Sequence, residues 1–254
     1  MRRRLLTFLP AFASAFLASC SAPSSSKPPE TKPFIVFVSG ETEYESARTL
    51  PAFKARMESR HATTGVFLQR QGETIPGLEA ALARANLLVL FVRRMTPSAD
   101  QLAAIRAYLA AGKPLVALRT SSHAFETWKE FDHEILGGNY QNHYPKTEPT
   151  TVRAVPAAAG HPILRGVPAG FPTANWLYKA APLAPTATLL LEGAVAGHPA
   201  EPLAWTNAPP AGGRVFYTSL GHPQDFESEP FRRLLTNAIF WAMGRGQAEQ
   251  PTDN

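Results

Sequence analysis

The stretch FIVFVSG, residues 34–40, starts with five consecutive apolar residues and ends in a serine and a glycine. A strand that is apolar on both faces is typical of the interior of a parallel sheet. Three further strands are predicted in the first half of the chain, at 64–68, 87–91 and 115–118. Segments that read as helices lie between them, at 46–60, 77–85 and 96–111. This alternation predicts an α/β fold with a mostly parallel central sheet covered by helices.

The second half of the chain is richer in proline and less regular. Strands are predicted there at 150–155, 188–191, 203–206 and 215–220. A final amphipathic helix is predicted from about Pro230 to Met243, and Gly244 ends it. Because no internal repeat or domain boundary is found, we expect one domain over 34–244, followed by a polar, disordered tail at 245–254.

Three predicted loops lie at the carboxyl ends of the first parallel strands, where ligands bind in open α/β sheets. They span residues 39–45, 92–96 and 119–126. The third loop, in the stretch ALRTSSHAFE, gathers an arginine, a threonine, two serines and a histidine within five positions. A ligand site is therefore expected at this edge of the sheet.

The N-terminus carries an export pattern. MRRR is followed by an apolar stretch from Leu5 to Leu17 and by the sequence LASC, which ends at Cys20. This pattern predicts a signal peptide at 1–19, because the apolar stretch is too short to span a bilayer as a helix. LASC resembles the lipobox of bacterial lipoproteins, which implies lipidation of Cys20 and a flexible tether at 20–33. The protein is thus expected to be exported and anchored to a membrane, at the periplasmic face or the cell surface.

The charge of the mature chain is nearly balanced. Of the 25 lysines and arginines, three lie in MRRR, which leaves 22 against 20 acidic residues. No basic cluster interleaved with aromatic residues is present, so a nucleic-acid partner is not expected. Since Cys20 is the only cysteine, an internal disulfide is excluded, and stability must come from a buried core.

Four stretches resemble the ThuA-like family, which is named for trehalose utilisation. They are GGNYQNHYP (137–145), GHPILRGVP (160–168), PLAWTN (202–207) and GGRVFYTSLGHPQDFESEPFRRLLTNAIFWAMG (212–244). The resemblance implies a flavodoxin-like, three-layer fold related to the class I glutamine amidotransferases. It also implies a role in carbohydrate metabolism, although a fold alone does not fix a function.

The residue after the fourth strand separates this chain from the amidotransferases, whose cysteine nucleophile lies on the equivalent sharp turn. No cysteine stands there, which excludes Cys-dependent amidotransfer. Ser121 or Ser122 could replace it, with a histidine base and with Glu126 or Asp225 as the acid. A second alternative is a metal-dependent hydrolase, in which His123, His143 and His222 from three loops would hold a divalent ion. Each histidine could also simply bond to backbone in a turn.

Two departures from the family pattern bear on the ligand. Many ThuA-like sequences carry a histidine at the position of Arg119, and an acidic pair just before the tyrosine at the position of Tyr178. The arginine supplies a fork of donors suited to an anionic or carbonyl-bearing ligand. The candidate substrate-binding residues are Arg93, Arg119, Ser121, Ser122, Asn139, Tyr140, His143 and Trp176.

The candidate catalytic residues are His123, His222 and Glu41, since a carboxylate beside a histidine suits proton transfer at a carbohydrate carbon. The main hypothesis is an exported protein that binds and processes a sugar or keto-sugar by acid–base chemistry. No cofactor is required by this hypothesis. The alternative is a lipoprotein of the binding or scaffold type, in which the same residues capture carbohydrate without turnover.

Overall fold

The side chains of the first strand alternate between two cores, and this alternation organises the layers of the protein. A computed structural model describes residues 31–146 and 149–246. In strand β1 (Phe34–Gly40), Ile35 and Phe37 enter one hydrophobic cluster, while Val36 and Val38 enter the other. Because successive side chains of a strand point to opposite faces, both faces of this sheet are covered.

The helices and strands follow the predicted order closely. The remaining strands are β2 (Thr64–Gln69), β3 (Leu87–Val92), β4 (Leu115–Leu118), β5 (Asn142–His143), β6 (Thr150–Ala154), β7 (Gly170–Thr173), β8 (Tyr178–Lys179), β9 (Thr188–Ala194), β10 (Glu201–Asn207) and β11 (Val215–Thr218). The α-helices are α1 (Ser46–Arg60), α2 (Leu78–Arg84), α3 (Ala99–Ala110), α4 (Pro223–Glu227) and α5 (Glu229–Ala242).

The nine-stranded sheet has the order β2-β1-β3-β4-β11-β10-β9-β6-β7. The five strands from β2 to β11 run parallel, and each of the other four is antiparallel to its neighbour. The short strands β5 and β8 pair separately. The carboxyl ends of β1, β3 and β4 therefore meet at one edge, as predicted.

Helices cover both faces of the sheet. Leu50 and Phe53 of α1 pack in one cluster with Leu235 of α5, and Leu82 of α2 packs in the other with Ile105 of α3. Each fully buried aliphatic or aromatic side chain contributes roughly 1.5–3 kcal/mol to folding. The predicted α/β three-layer sandwich is confirmed.

Some local predictions were incomplete. Helix α3 does not start at Thr96 and Pro97 but after Ser98, whose side chain accepts a hydrogen bond from the Gln101 amide over 3.3 Å. The sequence also gave no signal for β5, β7, β8 or α4, because elements of two to five residues are too short to show a periodicity.

The predicted signal peptide, Cys20 and most of the predicted tether lie outside the described residues, as does most of the predicted tail. Within the described residues, no helix combines the length and the apolar character needed to cross a membrane.

Candidate functional site

The loops after β1 and β3 diverge at the point where the strand order reverses. The chain passes from β1 to β2 on one side of β1 and then returns to β3 on the other side. Such a switch point leaves a crevice outside the strand ends. Glu45, Arg94 and Arg119, which follow β1, β3 and β4, are the non-glycine residues with positive φ in the described part of the chain, at 53°, 44° and 44°. Backbone strain of this kind concentrates at functional sites.

Arg119 occupies the sharp turn after β4 and begins a 3₁₀-helix over Arg119–His123. In α/β-hydrolases, a strained turn from strand to helix presents the nucleophile. Here the turn presents neither predicted serine, because the residue with the left-handed backbone is the arginine. The turn thus has the backbone geometry of a nucleophile turn, but it carries a cationic side chain at the position of the nucleophile.

The Arg119 guanidinium is sealed beneath aromatic rings, with none of the residue exposed. Its Nη1 donates to the Ser219 carbonyl oxygen over 2.6 Å, and its Nη2 donates to the Tyr44 hydroxyl over 3.0 Å. The guanidinium carbon lies 4.2 Å from the ring centre of Tyr44, 4.6 Å from that of Tyr178 and 5.6 Å from that of Trp176. The prediction that Arg119 clamps a ligand does not fit this position, since the side chain instead joins the surrounding loops.

Ser121 is also inaccessible. Its hydroxyl donates to the Leu90 carbonyl oxygen over 2.9 Å and accepts from the Val92 amide over 3.2 Å, and the residue is fully buried. The hydroxyl thus acts as both a donor and an acceptor toward the backbone of β3. The prediction of Ser121 as a ligand-binding or nucleophilic residue is therefore not supported, because its contacts are those of a structural tie.

Ser122 lies beside an imidazole but not in the geometry of an activated nucleophile. Its Oγ is 3.1 Å from His123 Nδ1 and also donates to the Arg119 carbonyl oxygen over 3.2 Å. A hydroxyl that gives its proton to a carbonyl cannot give it to a base at the same time. The arrangement disfavours the serine-hydrolase alternative, which needs the hydroxyl to donate to the histidine.

A cavity of about 240 Å³ lies outside β4 and is called the His123 pocket here. It contains four predicted ligand-binding or catalytic residues, which are Ser122, His123, Asn139 and Tyr140. Residues that the sequence did not single out complete the wall, and they are Phe125, Trp128, Lys129, Asp132, His133 and Gly138. The structure thus brings together part of the predicted constellation.

The imidazole of His123 is held neutral. It stacks on the Tyr140 ring, with ring centres 4.5 Å apart. Burial, followed by the positive charges of Arg93, Arg94 and Arg119, lowers the pKa of His123 to about 3. At neutral pH this side chain is therefore a hydrogen-bonding group and not a cation.

Asp132 is a titratable residue of the pocket wall that was not predicted from the sequence. It starts a π-helical turn over Asp132–Leu136, and its Oδ2 accepts from the Tyr140 amide over 2.7 Å. Its Oδ1 is buried and has no hydrogen-bond partner among the described residues. Burial raises the pKa of Asp132 to about 6, against the opposing effects of the Tyr140 N–H and His133. No spacing or motif marks this residue, because its shift arises from burial.

His222 and His143 pack beside two aromatic rings that contact Arg119, and neither histidine lines the His123 pocket. The His222 ring is 6.4 Å from the Tyr44 ring, and the His143 ring is 5.6 Å from Trp176. His222 Nδ1 accepts from the Gln224 amide, which leaves the proton on Nε2, whereas His143 Nδ1 donates to the Tyr144 carbonyl. None of these residues lines the His123 pocket, so the candidates do not share one cavity.

The predicted metal site is not formed. His123, His143 and His222 lie against three different aromatic rings. Across 31–146 and 149–246, no group of three or more His, Cys, Asp or Glu side chains is placed to hold a metal ion. The metal-dependent alternative therefore has no ligand set in this structure.

Glu41 holds the loop after β1 rather than facing a ligand. Its Oε2 accepts from the Tyr44 amide over 2.6 Å and its Oε1 accepts from the Ser46 amide over 2.8 Å, while the residue is only 6 % exposed. Because both oxygens are bound to backbone N–H groups, the predicted role as a catalytic carboxylate is replaced by a structural one.

A second cavity, of about 370 Å³, lies at the reversal of strand order and is called the switch-point cleft here. The loops after β1, β2 and β3 line it, with Ser39, Gly40, Glu41, Thr42, Gln69, Arg70, Gly72, Arg93 and Arg94. Arg93 is thus the predicted substrate-binding residue that lies in this cleft.

Comparison with known proteins agrees with this architecture. A family model described as "ThuA: Trehalose utilisation" matches residues 35–242. A ThuA-like protein from Bacteroides uniformis ATCC 8492 is similar at 16% identity, with a TM-score of 0.68, over 91% of this chain and 99% of that protein. A ThuA-like protein from Parabacteroides merdae ATCC 43184 is also 16% identical, with a TM-score of 0.67, over 87% and 94% of the two chains.

The mmIFT52 N-terminal domain shares the architecture at 14% identity and a TM-score of 0.57, over 85% of this chain and 99% of that domain. At such identities the likeness shows the fold alone. A search of curated protein sequences gave no match.

Proposed function

Because the chain belongs to the ThuA family of trehalose utilisation over residues 35–242, we propose that it binds a sugar or keto-sugar in the His123 pocket and processes it by acid–base chemistry. The observation that carries the proposal is the Asp132 carboxyl group in the wall of this pocket, with one buried oxygen that finds no hydrogen-bond partner in the described part of the chain. A buried polar atom without a partner calls for an explanation, and a bound ligand or a transferred proton provides one.

The pocket suits a small polar ligand. At about 240 Å³ it lies below the usual range for drug-sized ligands, so a single sugar ring fits its scale better than a large cofactor. Aromatic side chains of Phe125, Trp128 and Tyr140 line it together with polar groups from Asn139 and His123. Apolar walls with a few polar groups are typical of sites that orient a small molecule.

Two titratable residues of the pocket, Asp132 and His123, divide the proposed chemistry between them. A carboxyl group with a pKa of about 6 can take up and release a proton near neutral pH, which suits Asp132 to act as the general acid or base. His123 stays neutral and can hydrogen-bond to a sugar hydroxyl without adding a charge. Proton removal beside the carbonyl of a keto-sugar would use Asp132 as the base and His123 as an orienting group.

Calorimetric titration with glucose, trehalose and their keto derivatives, combined with a turnover assay, tests the proposal. We expect wild-type protein to bind and convert at least one member of the panel. The Asp132→Asn variant is expected to retain binding and lose turnover, and Glu130→Gln is the control because Glu130 is exposed and outside the pocket. Heat without turnover in the wild type would favour the non-catalytic carbohydrate-binding alternative, and no heat with any sugar would refute the proposal.

The proposal includes the location of the protein outside the cytoplasm, on a lipid anchor at Cys20. It is supported by the sequence MRRR, the apolar stretch from Leu5 to Leu17 and the residues LASC. Mass spectrometry of the N-terminal peptide from membranes tests it, with Cys20→Ser as the variant expected to release the protein. An unmodified Met1 on the membrane-purified protein would contradict it.

A further inference from the structure

Arginine residues dominate the charge of the switch-point cleft. Arg70, Arg93 and Arg94 line it, and the acidic residue among the lining side chains is Glu41. Both oxygens of Glu41 already accept backbone hydrogen bonds, from Tyr44 and Ser46. Three arginines against one glutamate give the lining side chains a net positive charge, at the kind of crevice where α/β sheets bind ligands.

The arginines differ in how firmly they are held. Arg70 is a structural element, because its Nη1 donates to the Arg93 carbonyl oxygen over 3.0 Å and its Nη2 pairs with Glu73. Arg93 pairs with Glu43 through Nε at 3.3 Å, with side chains that are 41% and 36% exposed. An exposed pair of this kind is weak, so a ligand can replace Glu43.

Arg94 is the cation available to a ligand. It is exposed and forms no salt bridge with the described residues. Its backbone is fixed, since its amide donates to the His123 carbonyl oxygen over 2.8 Å and its φ of 44° is left-handed. Local stability does not explain why a strained backbone holds at this cleft an arginine that forms no salt bridge with the residues the structure describes.

The arginine pair is close to the His123 pocket. The charges of Arg93 and Arg94 contribute to lowering the pKa of His123, and they also act on the Tyr140 hydroxyl. The isolated bridge between Met95 and Phe125 joins the loop after β3 to the wall of that pocket. The cleft and the pocket are therefore neighbours at this edge of the sheet.

From this arrangement we infer that the sugar bound by the protein carries an anionic group, a carboxylate or a phosphate, which Arg93 and Arg94 bind in the switch-point cleft while the ring occupies the His123 pocket. The inference rests on the proposed function and specifies its substrate class. The planar donor fork of a guanidinium can bind two oxygens of a carboxylate or two oxygens of a phosphate, so both anionic groups would be recognised by the same chemistry.

The test compares ligands that share a ring and differ in charge. Calorimetric titrations use glucose, glucuronate, glucose 6-phosphate and inorganic phosphate at low and high salt. We expect at least one anionic sugar to bind about tenfold more tightly than glucose at low salt, with a smaller advantage at high salt. Glucuronate and glucose 6-phosphate distinguish the carboxylate from the phosphate.

The variants Arg93→Gln and Arg94→Gln are expected to lose about tenfold in affinity for the anionic sugar and to bind glucose unchanged. Arg153→Gln is the matched control, since Arg153 is exposed on β6 and outside both cavities. If glucose binds as tightly as the anionic sugars, or the two cleft variants behave like the control, the inference is wrong while the proposed function stands. If inorganic phosphate binds and no sugar does, both are wrong.

Discussion

The Nη2 atom of Arg119 donates a hydrogen bond to the Tyr44 hydroxyl over 3.0 Å, and the same guanidinium lies over the Tyr44 ring at 4.2 Å from its centre. One aromatic residue therefore contacts the cation through both its hydroxyl and its π-face. The contact joins the loop after β1 to the turn after β4 across 75 positions of the chain. These contacts stabilise the buried cation in the folded state, because Arg119 forms no salt bridge with the described residues.

Replacing Arg119 by lysine is expected to destabilise the fold. A lysine ammonium cannot copy the planar fork that reaches both Ser219 and Tyr44, so at least one buried acceptor loses its partner. We expect the free energy of unfolding, measured by urea denaturation, to fall by about 1–3 kcal/mol. Tyr44→Phe removes one hydrogen bond from the same contact, and the double variant should show non-additive losses. Strictly additive losses would mean that the two side chains are not coupled.

The two neighbouring serines are expected to behave differently. Ser121→Ala should lower the free energy of unfolding by about 1–3 kcal/mol, because it removes the bridge between the Leu90 carbonyl and the Val92 amide. Ser122→Ala should retain turnover, since the Ser122 hydroxyl donates to a backbone carbonyl rather than acting as a nucleophile. Complete loss of turnover with a well-folded Ser122→Ala protein would restore the serine-hydrolase alternative.

Asp132→Asn is expected to change the pH dependence of stability. The pKa of Asp132 is raised from 3.8 to about 6 in the folded state, so the folded protein binds the proton more tightly than the unfolded chain does. The wild type therefore loses stability as the pH rises through this window. The stability advantage of the wild type over the variant should therefore fall by about 2 kcal/mol between pH 4 and pH 7. Urea denaturation across this range measures it, and parallel curves for the two proteins would contradict the raised pKa.

His123→Gln is expected to reduce the acid sensitivity of the protein. Burial and the nearby arginines lower the pKa of His123 from 6.5 to about 3, so the unfolded chain takes up a proton that the folded chain resists. The contribution of His123 is present above pH 6.5 and is lost as pH falls toward 3, a loss that the variant should not show. Tyr140→Phe preserves the ring that stacks on His123 and should retain the acid sensitivity of the wild type. Equal acid sensitivity of His123→Gln and the wild type would exclude a lowered pKa.

The fold could be predicted from the sequence more completely than the site. Strand β4 was predicted with its observed bounds, as was helix α1, because their patterns lie within a few consecutive residues. Asp132 was missed because its raised pKa depends on burial within the folded protein. Glu41 and Ser121 were predicted to face a ligand, yet their polar atoms bind backbone groups that the fold places beside them.

The sequence by itself determined the α/β class, the order of the main strands and helices, and the edge of the sheet where polar residues gather. These follow from apolar periodicity, which is a local property of the chain. Only the tertiary structure decided which polar side chains face a cavity. It buried Arg119 beneath Tyr44 and Tyr178, and it left His123 and Asp132 on the wall of a pocket. Exposure and pKa depend on neighbours that are remote in sequence, and folding alone brings those neighbours together.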